Sequence, residues 1–330
     1  KEVIPEFLLL LKGVIDCPDL PLNVSRSALQ NDGFVQKISE YIAKKVADKL
    51  TGMCKTDREA YEKYWDDISP FIKFGCIKDS KFADKLHDYI LFKDLDNKYL
   101  TLKDCIEANK KEEAEHTEEE TQENAEENKD EKEPEKTTVF YVTDPVQQSQ
   151  YINMFKEAGK NAVILSHNID TAFISHLEQR DQTLQFKRID ADLTEELKGG
   201  DAADDDTAKT LTELFRKNLN KEKLEVKVES LKNEAVSAMM MLSEESRRMQ
   251  DMMKMYNMYG MDPGMFGGQE TLVLNINHPL VKFLAENQES EHAAVICEQL
   301  YDLAMISHKQ LSPDEMTKFV QRSNDILMLL

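Results

Sequence analysis

The stretch LPLNVSRSALQNDGF (residues 20–34) joins a Pro-containing loop to the first turn of a predicted helix. Ser25 is suited to cap that helix, and Arg26 follows it directly. The backbone at a helix start carries partial positive charge, so a cation there lowers helix stability slightly. Two interpretations stay open: Arg26 is an ordinary surface arginine, or its guanidinium is directed at an anionic group. Gln30, one turn later, shares its helix face.

Amphipathic helical patterns follow this stretch as far as residue 90. They predict a helical block, in which apolar residues recur at helical spacing. The apolar positions are Phe34, Ile38, Ile42, Val46 and Leu50, then Tyr61, Tyr64, Trp65, Ile68, Phe71 and Ile72, then Phe82, Leu86, Tyr89 and Ile90. Upstream, residues 3–16 have the composition of a strand. We therefore predict that residues 1–106 form the end of an α/β layer plus a helical block.

The overall composition excludes several classes of function. The 330-residue chain has a formal net charge of −21, so we expect no nucleic acid and no membrane among its partners, since both attract Lys and Arg patches. The apolar run FLLLL at residues 7–11 is far shorter than the ~20 residues that cross a bilayer. The five cysteines show no paired spacing, which argues against a disulfide framework or a zinc site and fits reduced thiols in a cytoplasm. No metal site is predicted.

Residues 107–136 differ sharply from their surroundings. They contain 14 acidic and 5 basic residues, and their only hydrophobic residues are three alanines. Such a stretch cannot bury enough apolar surface to offset the entropy of ordering it, so we predict an acidic disordered linker. A specific acidic docking segment is the alternative. The run GGDAADDD at residues 199–206 is predicted to be a second acidic linker.

Strands and helices alternate between the two acidic runs. The strands are TTVFYVT (137–143), AVILSH (162–167) and TLQFKRI (183–189), and helices are predicted at 146–158 and 169–177. This order predicts a small parallel α/β/α subdomain over residues 137–198. The first strand ends in TDP, and no glycine-rich loop follows to approach a phosphate. We therefore predict no cofactor site in this subdomain.

Residues 207–330 are predicted to form an α+β domain that ends in two helices. A helix at 208–219 and strands at 224–231 and 271–277 come first, and the two helices follow at 291–307 and 313–330. Apolar residues recur on both helices at intervals of three and four, and two such helices per chain can build a four-helix bundle across a two-fold axis. We predict homodimerisation, with docking onto the chain itself as the alternative. The predicted dimerisation residues are Ile296, Leu300, Leu303, Phe319, Ile326 and Leu327.

Ten of the 15 methionines fall between residues 239 and 265. Within this segment one helical face is predicted from the spacing i, i+3, i+4 and i+7. Its residues are Met249, Met252, Met253 and Tyr256. Methionine is flexible and polarisable, so such a face suits many different apolar partners. We predict a surface that binds other proteins, and packing in the core is the alternative.

Four stretches resemble those of the heat-shock-protein-90 chaperones, most closely the bacterial high-temperature-protein-G branch. They are DLPLNVSRSALQ (19–30), KYWDDISPFIKFG (63–75), TVFYVTD (138–144) and AVILSHNID (162–170), of which the first is the most specific. The resemblance covers nearly the whole chain outside the acidic linker. It implies an α+β and α/β multidomain protein, of which this chain is the later part of the middle domain plus the C-terminal dimerisation domain. The family's N-terminal ATP-binding domain is absent from the sequence.

The resemblance also implies roles for particular residues. In the family, the arginine of the first motif reaches the γ-phosphate of ATP held by the N-terminal domain, and the glutamine one turn later assists. The matching residues are Arg26 and Gln30. This chain alone is expected to be no enzyme and to hold no cofactor, whereas full-length members are slow ATPases that use ATP and Mg²⁺. The implied partners are a second copy, partly folded client proteins and the N-terminal ATPase domain, in a bacterial cytoplasm.

Two departures from the family pattern limit what the resemblance carries over. The acidic run at 107–136 replaces a basic, glycine-containing segment, so contacts made there are not expected. The chain ends in LMLL and lacks the acidic pentapeptide that cytosolic eukaryotic members offer to helper proteins. The sequence therefore predicts the middle and C-terminal portion of an ATP-dependent dimeric chaperone. A structural homodimerisation scaffold without client binding is the alternative function.

Overall fold

The computed structural model describes residues 3–10, 12–14, 16, 33–107, 136–191, 197–200, 203–243, 248 and 270–328. The chain divides into two compact units. The first unit comprises residues 1–139 and 165–186, and the second comprises residues 140–164 and 187–330. The expected mixture of helices and small sheets is confirmed. The domain boundaries proposed from the sequence stay predictions.

The helical block of the first unit follows the predicted order. Its helices are α1 (Gly33–Thr56), α2 (Arg58–Lys78) and α3 (Ser80–Leu86). The carboxylate of Asp57 caps α2 by accepting a hydrogen bond from a backbone N–H of its first turn, and Asp79 caps α3 in the same way. The start predicted at Ser25 lies outside the described residues, which resume at Gly33.

The apolar stripe predicted for α1 lies at the edge of its buried face rather than at its centre. Phe34 is exposed, and the other four members are only half-buried. The fully buried residues of the helix are Val35, Ala43, Ala47 and Cys54. Helices α2 and α3 contact α1, and alanine allows close approach between helices. Most core positions of α1 are therefore occupied by small residues, whose low hydrophobicity makes the buried face hard to recognise in the sequence.

The strand predicted at residues 3–16 is wrong over the residues described there. Glu6–Leu8 form one turn of 3-10 helix, which begins after Pro5. The ring of Phe7 is buried, and its centre lies 4.8 Å from that of Phe82. Gly75 of α2 permits this approach, because a Cβ atom there would lie only 2.7 Å from the Phe7 ring. Packing against the helices outweighs the strand propensity of the apolar run.

A β-hairpin that the sequence analysis missed follows α3. Its strands are β1 (Leu91–Asp94) and β2 (Tyr99–Thr101), which pair antiparallel. The Asp94 carboxylate accepts a hydrogen bond from the Lys98 backbone N–H at 2.8 Å, and Asn97 has a φ of 64°. Asp and Asn favour such turns because their side chains bond the local backbone and because Asn tolerates left-handed φ. The sequence DLDNK (residues 94–98) therefore favours a turn.

The alternation of strands and helices between the two acidic runs is confirmed. The elements are β3 (Thr137–Val142), α4 (Ser149–Glu157), β4 (Val163–Ile164), α5 (Ile169–Arg180) and β5 (Leu184–Arg188). β3 pairs in parallel with β4, with Tyr141 opposite Val163. β5 lies on the other side of β3. The Thr137 N–H donates to the Thr183 carbonyl at 2.7 Å, and the Ile189 N–H donates to the Tyr141 carbonyl at 3.1 Å.

A buried ion pair in the first unit joins two of the stretches that carry the family resemblance. Lys73 Nζ of α2 lies 2.5 Å from Asp170 Oδ1 of α5, and both side chains are almost fully buried. The other carboxylate oxygen accepts a hydrogen bond from the His167 N–H at 2.9 Å. Removal of one partner of a buried pair leaves an uncompensated charge, so this contact fixes how α5 lies on α2.

The rest of the second unit builds a three-stranded sheet and four helices among its described residues. The elements are α6 (Asp205–Leu219), β6 (Glu225–Glu229), β7 (Ala238–Met241), β8 (Thr271–Asn275), α7 (Pro279–Glu286), α8 (Ala293–His308) and α9 (Pro313–Leu327). β8 is the central strand, parallel to β6 and antiparallel to β7. β7 and α7 were not predicted. The methionines at positions 239–241, counted with the Met-rich segment, are buried in β7.

The described part of the acidic run at residues 199–206 is held by hydrogen bonds. The Gly199 N–H donates to the Ser230 carbonyl at 2.8 Å, and the Lys232 N–H donates to the Leu197 carbonyl at 3.0 Å. A Cβ atom on Gly199 would lie 2.8 Å from the Lys232 backbone, so only glycine fits there. Asp204 caps α6, which begins within the acidic run and not at residue 208 as predicted.

Candidate functional site

The predicted site residues fall into two groups, one outside and one inside the described part of the chain. Arg26 and Gln30 lie in residues 17–32, outside the described residues. So do Met249, Met252, Met253 and Tyr256, which lie in residues 249–269. Their roles stay predictions. The predicted dimerisation residues are all described, and they lie on α8 and α9. This helix pair is the candidate site.

Helix α8 lies inside the core of the second unit. Its buried residues are Ala293, Cys297, Leu300, Tyr301, Ala304, Met305 and His308. All of them except His308 pack in one cluster with side chains of α6, β7 and β8, including Phe215, Met240 and Leu272. Burial raises the pKa of the Cys297 thiol to about 12, so the thiol is neutral at pH 7. Leu300, a predicted dimerisation residue, is therefore covered by its own chain.

The C-terminal end of α8 lies beside a cluster of buried polar side chains. Arg188 Nε donates to Asp190 Oδ1 at 2.5 Å, and Arg188 Nη1 donates to Thr143 Oγ1 at 3.0 Å. His308, the last residue of α8, has its Nδ1 atom 3.5 Å from Asp190 Oδ2. The side chains of Asp190 and His308 are almost completely buried. The last residue of α8 thus lies against Asp190, just beyond the strand that carries Arg188.

Helix α9 has a well-formed N-terminal cap, but its own chain buries little of its surface. A capping box begins it: Glu315 N–H donates to Ser312 Oγ at 3.4 Å, and Ser312 N–H donates to Glu315 Oε2 at 2.9 Å. Hydrogen bonds from the Ser312 hydroxyl and backbone hold the pKa of Glu315 below its ordinary value. None of the residues from Pro313 to Leu327 is fully buried.

One face of α9 presents apolar side chains to solvent. Met316, Val320 and Leu327 are 42%, 50% and 64% exposed, and their spacing i, i+4 and i+11 places them on one side of the helix. We call these three residues the α9 stripe. Phe319 and Ile326 are half-buried, as is Ile296 of α8, whereas Leu303 of α8 is 43% exposed. The charged residues Asp314, Lys318 and Asp325 project from the opposite side of α9.

Arg322 connects α9 to α8. Its Nε donates to Gln299 Oε1 at 2.9 Å, and its Nη1 donates to Glu298 Oε2 at 2.9 Å. Its Nη2 donates to the Glu298 carbonyl at 3.3 Å and also pairs with Asp302. The Gln299 side chain in turn donates to Ser323 Oγ at 3.1 Å. All three guanidinium nitrogens thus bind acceptors on one helix.

The sequence analysis missed Arg322, although the chain carries a signal for it. Glu298 and Asp302 are four residues apart, so their carboxylates share one face of α8. Arg322 is the only arginine in the α9 sequence, PDEMTKFVQRSNDIL. An acidic i, i+4 pair on one helix and a single arginine on the next favour an interhelical contact.

The described residues hold neither a metal-binding cluster nor a helix suited to a membrane. No three or more of their His, Cys, Asp and Glu side chains are grouped so that they could hold a metal ion. None of the helices that the structure describes combines the length and the apolar character needed to span a bilayer.

The chain is similar to known chaperones over most of its length. The model of the Hsp90 protein family matches residues 1–116 and 131–330, and the unmatched residues lie inside the acidic run. The Chaperone protein htpG of Bacteroides fragilis (strain YCH46) is 35% identical over 306 residues, 89% of this chain and 42% of that protein. The Chaperone protein HtpG of Porphyromonas gingivalis (strain ATCC 33277) is 33% identical over 306 residues, 87% of this chain and 41% of that protein.

A more distant relative extends the similarity to almost the whole chain. The Chaperone protein HtpG of Helicobacter acinonychis (strain Sheeba) is 28% identical over 338 residues, which cover 99% of this chain and 49% of that protein. The chain thus spans less than half the length of the curated relatives that it matches here.

Proposed function

The chain belongs to the Hsp90 protein family, and from that premise we propose that it is the middle and C-terminal portion of an ATP-dependent dimeric molecular chaperone. We place it in the cytoplasm. The four described cysteines, all buried and free, fit the reducing conditions there. In this proposal the chain binds partly folded proteins, associates with a second copy of itself and acts on ATP held by a separate N-terminal portion.

The exposed α9 stripe is the observation that carries the dimer proposal. A helix whose apolar side is uncovered in its own chain is stabilised when a partner buries that side. The stripe is uncharged, and the charged residues of α9 lie on its other side, so two copies can meet across a two-fold axis without opposing like charges. Leu303 of α8 is a further exposed apolar residue of this helix pair. A second copy of the chain is therefore the proposed partner.

The proposed role of Arg26 rests on the family motif in which it lies. The guanidinium would bind the γ-phosphate of ATP, and Gln30 would help to orient the reacting groups. An arginine in this role stabilises the charge that builds up during phosphoryl transfer. ATP and Mg²⁺ would be held by the N-terminal portion, so this chain alone is proposed to hydrolyse no ATP and to give no binding heat with ATP in titration calorimetry.

The Arg26 proposal is tested on a protein that also carries the ATP-binding portion. Arg26→Ala is expected to lower kcat by about a hundredfold or more, because an arginine finger supplies a factor of that order or larger. Arg26→Lys keeps the charge but loses the planar fork, so it should recover only part of that loss. Arg248→Ala, an arginine outside the motif, serves as the control. Equal kcat values for Arg26→Ala and the unchanged protein would contradict the role.

The Met-rich face is the proposed client surface, and the scaffold function is its competitor. Met249, Met252 and Met253 replaced together by Ser should abolish suppression of client aggregation while leaving the unfolding temperature unchanged. If the three side chains are core instead, each replacement should cost on the order of 2–5 kcal/mol and the domain should unfold. If the triple variant is folded and still suppresses aggregation fully, the Met-rich face is not the client surface. A structural scaffold that binds no clients would then be the better-supported function.

A further inference from the structure

The placement of α9 depends mainly on polar contacts with its own chain. The helix has no fully buried side chain between Pro313 and Leu327, so apolar burial alone holds it weakly. The side chain of Arg322, in contrast, is only 12% exposed. Its hydrogen bonds described above all go to acceptors on α8, so Arg322 joins the two helices through several contacts at once.

The geometry of the guanidinium fixes the rotation of α9 about its own axis. Its donors reach Glu298, Gln299 and Asp302 at once, and these residues span one turn of α8. A planar group with several simultaneous hydrogen bonds has far less freedom than a single ion pair. A rotation of α9 by even one residue would break most of these contacts.

The fixed rotation decides where the α9 stripe points. At 100° per residue, Met316, Val320 and Leu327 lie roughly 120–160° around the helix from Arg322. When Arg322 faces α8, the stripe is turned away from that contact. The half-buried Phe319 and Ile326 lie between the two directions.

We propose that Arg322 is a positioning residue for the dimer interface, which holds α9 in the rotation that presents the stripe to a second copy. This inference rests on the proposed dimer. A surface that is ordered before it meets its partner loses less conformational freedom on association. Without the contacts of Arg322, α9 would fray or rotate in the monomer. Association would then have to order the helix at an additional cost in conformational entropy.

The test compares Arg322→Lys with Lys318→Gln, a matched control on the side of the same helix that is opposite the stripe. Lysine keeps the charge but cannot satisfy three acceptors together, so the dimer Kd from sedimentation equilibrium should rise by about tenfold or more. The Kd of Lys318→Gln should stay within about twofold of the unchanged chain, since exposed charges contribute little. An unchanged Kd for Arg322→Lys would overturn the inference while the dimer itself stands.

Hydrogen exchange separates positioning from a general structural role. In the monomer, below the dimer Kd, Arg322→Lys should speed amide exchange in α9 and leave α8 and β8 as protected as before. If α8 and β8 lose protection as well, Arg322 stabilises the whole domain and the positioning role is overturned. If the unchanged chain is monomeric at every concentration, the dimer proposal fails and the inference fails with it.

A double-mutant cycle tests whether Arg322 acts through the acidic face of α8. Asp302→Asn alone should weaken association less than Arg322→Lys, because Glu298 and Gln299 still bind the guanidinium. Combined with Arg322→Lys it should add less than its separate effect, as expected for partners in one contact. Full additivity would contradict an action through Asp302.

Discussion

Helices α8 and α9 carry similar apolar repeats, yet the apolar side of α8 is buried and that of α9 is exposed. In α8 the apolar side is packed into the core, and Cys297 and Ala304 have no measurable exposure. In α9 no residue is fully buried, and Leu327 is 64% exposed. An apolar repeat therefore indicates that a face is to be covered, but it does not tell which molecule covers it.

The difference follows from what surrounds each helix. α8 contacts β7, whose four residues are all buried, and it also contacts α6. α9 contacts chiefly α8, through Arg322 and the residues beside it. Among the described residues, the buried core of the second unit contains no side chain of α9, which leaves the stripe available to a partner.

Leu300→Ala should have the largest effect, and it should act on folding. Leu300 is 1% exposed, and a leucine truncated to alanine in a packed core costs about 2–5 kcal/mol. The control is Leu303→Ala on the same helix, at a side chain that is 43% exposed. Urea unfolding below the dimer Kd measures both. Equal losses for the two variants would contradict the distinction between core and surface on α8.

Val320→Asp and Leu327→Asp should instead act on association. Each places a carboxylate in the proposed interface, opposite or near its own copy, so the dimer Kd should rise by about a hundredfold. The free energy of unfolding measured on the monomer should change by less than about 0.5 kcal/mol, as for other surface substitutions. Lys318→Asp is the control. A dimer that tolerates both variants would show that the stripe is not the interface.

Ser312→Ala should have a smaller effect, confined to α9. Loss of the N-cap should cost about 1 kcal/mol of helix stability, because one N–H of the first turn loses its partner. Hydrogen exchange of α9 in the monomer should accelerate about fivefold, the factor that corresponds to 1 kcal/mol. Exchange in α8 should not change. If both helices respond equally, α9 is not the independent element described above.

The pH dependence of α9 should be the weakest effect. The pKa of Glu315 is lowered in the folded chain, so its hydrogen bonds stabilise α9 above the ordinary glutamate pKa and are lost as pH falls through the lowered value. Helix protection in α9 should therefore fall in acid, below about pH 4. Glu315→Gln should flatten this dependence. An unchanged profile for that variant would assign the acid sensitivity to another group.

Much of the fold followed from local pattern. The strands and helices between the acidic runs and both C-terminal helices were predicted within a few residues, because their apolar residues repeat regularly. The predicted strand at residues 3–16 failed because Phe7 packs against Phe82 and Gly75, a contact between distant positions. β7 is hard to recognise because its methionines continue into the Met-rich segment that follows. The turn at Asn97 is hard to recognise because the short strands on either side of it show no alternation of apolar and polar residues.

The candidate site was predictable only in part. The sequence indicated two dimerisation helices, but it could not tell that Leu300 is buried in the core whereas Leu327 is exposed, since both fit the same repeat. The role of Arg322 required the rotation of α9 on α8, which depends on three acceptors of another helix. Tertiary contacts, not local propensity, decide these points.

Light scattering on the intact chain at low micromolar concentration measures whether the chain associates with a second copy. If a second copy covers the α9 stripe, the mass should be twice the 38.0 kDa of one chain, and Leu327→Asp should return it to 38.0 kDa. A mass of 38.0 kDa for the unchanged chain over the whole accessible concentration range would contradict the claim, because the stripe would then have no second copy to cover it.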